Sequence, residues 1–216
     1  MLKPFARLHV LVLFGGLLLT SACTAQSSDS AAYVEGTDYV TVPAPHERYN
    51  NAGKVEIVEV FSYDCIHCAA FAPDAAKLSK ELPAGVEFKL MPAPFNSAWL
   101  PFARGYYAAK QLGVVDRTHQ KLFVAKFGEH YPINSMDEIA DFYAREGVNR
   151  ADFMRIATSQ ATTDKMKRDY NLARQWQVDG TPSLVIDGKY RVLAVSSQAK
   201  MVAVALWLAR RELAGK

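Results

Sequence analysis

The sequence predicts an α/β fold with a helical block inserted into it, on three observations. Val55-Glu56-Ile57-Val58-Glu59-Val60-Phe61 is a β-branched, mostly apolar run. It passes through Ser62-Tyr63-Asp64 into Cys65-Ile66-His67-Cys68 and then helix formers from Ala69 to Leu78, which reads as strand, turn, helix. Ser183-Leu184-Val185-Ile186 and Lys189-Tyr190-Arg191-Val192 flank Asp187-Gly188, a tight hairpin signal, and an amphipathic helix follows from Lys200 to Leu213. Between these ends, from Ala98 to Gln175, the pattern is helix upon helix.

The chain has 216 residues, half of them hydrophobic, enough for one ordinary domain carrying an insertion. Residues 1–22 form an export signal: Lys3 and Arg7 precede the apolar run Val10 to Leu19, and small residues Thr20-Ser21-Ala22 lead into Cys23. That apolar run is too short for a comfortable transmembrane helix. Small residues running directly into a cysteine resemble a bacterial lipobox, with Thr20 where Leu is commoner, so Cys23 is a lipidation candidate. The alternative is an ordinary cut nearby, for instance after Ala25. Of the formal charge of +3, two positive charges belong to the leader, and what remains gives no case for a nucleic-acid partner. Residues 23–38 are small and polar and are expected to be a flexible tether.

The remaining elements follow in order. Tyr39 to Val42 is a short strand before Pro43, and Val86 to Met91 another, closed by Pro92 and Pro94. In the helical block one helix runs through Gln111 and stops at Gly113, and a second spans Thr118 to Lys126. Ser135 and Glu138 form a capping box for a third that Gly147 ends. Asn149 caps a fourth, and Thr163 to Gln175 makes a fifth. Phe123, Phe127, Phe142, Tyr143 and Phe153 fall at roughly helical spacing and are expected to be core. The domains expected are thus a strand-and-helix domain from 39–97 and 176–216, and a helical insertion over 98–175.

Chemistry concentrates at Cys65 and Cys68. A cysteine at a helix N-terminus meets free backbone N–H groups and the positive end of the helix dipole, which stabilise its thiolate. Cys68 lies on the same face, one turn deeper. A disulfide between residues three apart closes too short a loop to be a useful staple. A zinc site needs about four ligands, and there is no second Cys pair. Two inert buried thiols would fit mid-element better than a helix start. A redox-active dithiol is the reading that remains, with no cofactor or metal called for.

The stretch Glu59 to Cys68, together with Val178-Asp179-Gly180-Thr181-Pro182 and Asp187-Gly188-Lys189-Tyr190, resembles the exported thiol:disulfide oxidases of the DsbA type, a thioredoxin-like fold interrupted by a helical domain. The resemblance implies that Cys65 is the nucleophile and Cys68 the resolving thiol, and that Thr181-Pro182 is a cis-proline loop that offers backbone to an extended peptide. It implies that His67 stabilises the Cys65 thiolate and that Glu59 is a buried acid exchanging a proton with Cys68, whereas Glu56 reads as a solvated strand residue. Three departures stand out. Ile66 replaces the usual proline. Asp64 sets a carboxylate beside the nucleophile, where repulsion is expected to raise the thiolate pKa by about half to one unit. Leu90 occupies the place of a lysine that partners the acid in some members, with Lys89 on the opposite strand face.

By this resemblance the chain is a periplasmic monomer that donates its Cys65–Cys68 disulfide to reduced, unfolded exported proteins. A quinone-linked membrane reoxidase of the DsbB type restores it, and the lipid on Cys23 would tie the protein to the membrane. The alternatives are a disulfide isomerase or reductase, or a lipoprotein that only binds peptides. The short polar tether, with no separate dimerisation domain, weighs against the first. The intact Cys-x-x-Cys and Thr-Pro weigh against the second.

Overall fold

The computed structural model describes residues 33–50, 53–193 and 196–215. The leader, Cys23 and the first part of the expected tether lie outside them. Five strands form one sheet: β1 (Tyr39–Thr41), β2 (Val55–Phe61), β3 (Val86–Pro92), β4 (Ser183–Ile186) and β5 (Tyr190–Val192), in the order β1-β5-β4-β2-β3. Of these five strands, β2 and β3 pair in parallel and the other neighbours antiparallel. The crossover between them is α1 (Ile66–Lys80), and β4 and β5 close as a hairpin at Asp187-Gly188, both at positive φ.

The central strand β2 is buried along its whole length. Alternation sends Val55 and Ile57 to a face covered by α1 and by α7 (Gln198–Ala214), through Phe71, Leu78, Val204 and Leu208. Val58 and Val60 go to the other face, against Met91, Leu172 and Trp176. Each such side chain contributes roughly 1.5–3 kcal/mol on burial, which fixes the strand's register.

The helical block comprises α2 (Leu100–Gln111), α3 (Val115–Phe123), α4 (Met136–Arg145), α5 (Arg150–Ala157) and α6 (Gln160–Gln175). Ser135 and Glu138 make the capping box of α4, and Asn149 caps α5. Ser159 caps α6, which starts three residues before the expected Thr163. Phe123, Phe142, Tyr143 and Phe153 are buried in one cluster, with Phe127 partly buried against it. α3 does not run straight through to Lys126: Val124–Gly128 is a π-helical turn that ends it.

Two expectations are corrected. Residues 33–38 are folded rather than loose: Tyr33 stacks edge-on against Trp207, and the Val34 amide donates to the buried Asp38 carboxylate. Glu56 is not solvated. It is fully buried, its carboxylate accepts from the Tyr49 and Asn50 amides, and its own amide donates to Asp187 Oδ1 at 2.8 Å. The strand pattern could not reveal this, because the groups that satisfy it come from a distant loop and hairpin.

Candidate active site

β2 ends at Phe61, the chain turns through Ser62 to Asp64, and Cys65 becomes the N-cap of α1. Its sulfur accepts from the Cys68 amide at 3.4 Å, and the Cys65 thiol lies 3.4 Å from the Thr181 carbonyl, which accepts from it. Both cysteines are free thiols. Cys65 keeps 8% exposure, and Cys68 has none, so only the first sulfur can meet a partner from solution. The Thr181–Pro182 peptide is cis, and its loop closes over the start of α1.

Electrostatics separate the two thiols. The Cys65 thiol is lowered to about 5, first by a hydrogen bond from the Cys68 side chain, against the opposing effect of burial, and then by the side chain of Thr181 and the amides of Cys68 and His67. The Cys68 thiol is pushed up, chiefly by burial and by the Cys65 sulfur beside it. His67 itself is exposed, and what it supplies to Cys65 is its backbone amide.

Glu59 shares its face of β2 with Ile57 and Phe61, under α1. It is 2% exposed, Oε2 has no hydrogen-bond partner, and burial followed by the Cys65 charge raises its carboxyl to about 8. Its cross-strand neighbours are Leu90 and Leu184. Lys89 pairs with Val58 in register, so it points to the other face, where it meets Glu87 at 3.0 Å. Among the described residues the acid therefore has no cation paired with it.

Three neighbours carried no signal strong enough to be found in the sequence. The Lys126 ammonium, from the π-helical turn, meets Asp64 at 2.9 Å and also donates to the Ile133 carbonyl. Tyr63 shares a 2.9 Å hydrogen bond with His119 Nδ1, and both pack on Phe61 and Phe123. Burial holds His119 down at about 4, so its ring is neutral at pH 7. Cys65 and Cys68 thus belong to the same buried cluster as the helical block. Asp64, the carboxylate expected to repel the Cys65 thiolate, is thus paired with Lys126.

The DSBA-like thioredoxin domain matches residues 56–206. The chain belongs to the DsbA-like family. The thiol:disulfide interchange protein DsbA of Pseudomonas aeruginosa PAO1 is 36% identical over 167 residues, 77% of each chain. The crystal structure of Pseudomonas aeruginosa DsbA superposes with a TM-score of 0.79 at 32% identity, over 86% of this chain and 97% of that one. DsbA of Xylella fastidiosa gives 0.77 at 33% identity, over 84% and 98%. The DsbA-like fold is therefore the thioredoxin-like α/β fold with a helical insertion, and the chain is a thiol:disulfide oxidoreductase. Among the described residues no helix is long and apolar enough to cross a membrane, and no cluster of His, Cys, Asp and Glu could hold a metal ion.

Proposed function

We propose that the chain is a dithiol oxidase of exported proteins in which Cys65 is attacked and Cys68 leaves. The observation that supports this is the split between the sulfurs, Cys65 held as thiolate at the rim and Cys68 buried and held as thiol. A substrate thiolate attacks Cys65 Sγ of the disulfide, and the Cys65–Cys68 bond breaks with its electron pair on Cys68. Glu59, which keeps its proton near neutrality, supplies that proton to Cys68. A second substrate thiolate attacks the substrate sulfur of the mixed disulfide and expels Cys65 as a stabilised thiolate. Two substrate thiols have then become a disulfide, and the enzyme's pair is reduced.

Stabilising the Cys65 thiolate favours the reduced form and so makes the disulfide oxidising. The backbone at Thr181-Pro182, against the Cys65 sulfur, is assigned to hold the extended substrate segment. In the same reading, residues 39–97 and 176–216 form the thioredoxin-like domain, and 98–175 the helical one. Likeness to the DsbA proteins supports a periplasmic setting and a quinone-linked DsbB-type reoxidase, and the leader supports lipid attachment at Cys23.

The test pairs two variants against a reduced peptide. Cys65→Ser is expected to abolish oxidation, and Cys68→Ser to accumulate mixed disulfides at Cys65. Faster alkylation of Cys68 than of Cys65 in the reduced protein would overturn the assignment. Equilibration with glutathione then decides direction: a potential as low as thioredoxin's would make the chain a reductase.

A further inference from the structure

A second concave site lies where β3, α2, α6 and the segment at Tyr49 meet. Its volume, about 410 Å³, falls within the range of about 300–1,000 Å³ common for small-molecule sites. Four cations line it: Lys89 from β3, Lys110 from α2, and Lys165 and Arg168 from α6. Its aromatic lining is Tyr49 and Tyr107. The Lys110 ammonium stands 5.6 Å from the Tyr49 ring centre, and the Lys165 ammonium 5.8 Å from that of Tyr107. The Arg168 guanidinium lies 4.9 Å from the Tyr49 ring centre and donates to the Tyr49 carbonyl. The Tyr107 hydroxyl is fixed in turn by the buried Asp169 carboxyl.

The acids nearby do not balance this charge. Glu87 is taken up by Lys89 at 3.0 Å and by the Asn50 amide group at 2.8 Å. Asp169 is buried, 3.9 Å from Arg168, and burial raises its carboxyl to about 8. Among the described residues Lys110 and Lys165 have no ion-pair partner. Burial and the three neighbouring cations hold the Lys110 ammonium below the usual lysine range. Cations gathered round one concavity repel one another, and a multiply charged anion seated among them would relieve that cost.

We propose that this cavity binds a phosphate-class oxyanion carrying two or more negative charges, as a free polyphosphate or as a phosphorylated headgroup. The guanidinium N–H groups of Arg168 not taken by the Tyr49 carbonyl can donate to a phosphate oxygen, and the lysines act as point charges around it. None of these residues belongs to the Cys65–Thr181 site, so occupancy and dithiol chemistry are separable.

The probe is inorganic tripolyphosphate, titrated calorimetrically into the full chain at low and at physiological ionic strength. Saturable binding is expected, weakened by salt and roughly tenfold weaker in Lys110→Gln/Lys165→Gln. Charge-preserving Lys110→Arg/Lys165→Arg is expected to restore it. Insulin-reduction and peptide-oxidation rates serve as folding controls and should not move. Flotation with cardiolipin vesicles, whose headgroup carries two phosphates, separates the sources, because variant-sensitive flotation assigns the headgroup and its absence the soluble anion. Tripolyphosphate binding that survives the double Gln variant, or that falls equally in Lys77→Gln/Lys80→Gln on α1, would overturn the site.

Discussion

The Lys126 ammonium meets the Asp64 carboxylate at 2.9 Å, and through that contact the helical block reaches the residue directly before the nucleophile. The lysine side chain is 10% exposed and also donates to Ile133 and Asn134, so the pair is fixed rather than a passing surface contact. Removing Lys126 leaves the carboxylate facing the Cys65 thiolate. At about 6 Å and an effective dielectric of about 40–80, that is roughly 0.7–1.4 kcal/mol, or about 15–30 mV for a two-electron couple. Lys126→Met is expected to raise the Cys65 pKa and lower the reduction potential by that amount. Lys126→Met/Asp64→Asn is expected to recover it. An unchanged glutathione equilibrium in Lys126→Met would show that the ion pair does not act on the sulfur.

The rate of Cys65 alkylation should follow its thiolate. With the thiol lowered to about 5, iodoacetamide modification of the reduced protein is expected to climb up to about pH 6 and then stay flat. Because the folded value is depressed, its contribution to the stability of the reduced form is complete above the unfolded value near about 8.5. It is lost as pH falls through about 5. A rate at Cys65 still rising through pH 8 would contradict the assignment.

Glu59 works in the opposite sense. Its carboxyl keeps the proton up to about 8, whereas in the unfolded chain it ionises near about 4.3. The folded state binds the extra proton across that window, so stability present at low pH is lost as pH rises towards 8. Glu59→Gln is expected to stabilise the reduced protein by up to roughly 4–5 kcal/mol at pH 8 and to change little at pH 4. Urea unfolding at the two pH values checks this, and an equal effect at both would remove the buried-acid account.

Gly188 has φ of +66°, and a Cβ there would lie 2.2 Å from the Glu47 carbonyl, which also accepts from the Trp176 indole at 2.8 Å. Gly188→Ala is expected to cost roughly 2–4 kcal/mol and to alter tryptophan fluorescence, through left-handed strain and displacement of Glu47. A loss under about 0.5 kcal/mol would show that the hairpin yields freely.

What was legible in the sequence was local. The run from Val55 to Phe61, the cysteine pair, Asp187-Gly188 and the Ser135–Glu138 cap each state their conformation within a few residues. Glu56 and Glu59 look alike in such a window, both acids in an apolar strand, and both are buried. Partners from Tyr49, Asn50 and Asp187 make one a structural acceptor, and burial, with the Cys65 charge beside it, keeps the other protonated. The π-helical turn carrying Lys126 escaped because it breaks the helical period on which its neighbours were read. The Asp64 repulsion was reckoned for two charges in isolation, and the third charge that pairs with Asp64, Lys126, lies over sixty residues further along, out of reach of any local reading.

Cys65 and the Thr181 carbonyl that accepts from it are 116 residues apart in the chain. A polypeptide made from its N-terminus at about 5–20 residues per second has its thiols in place roughly 6–23 s before Thr181 has been synthesised. Throughout that delay the sulfurs have a helix start but no covering loop, while the helical block, α2 to α6, is still being made. A newly made copy is therefore, for a time, an unfolded chain with two open cysteines, the kind of molecule its finished siblings act upon.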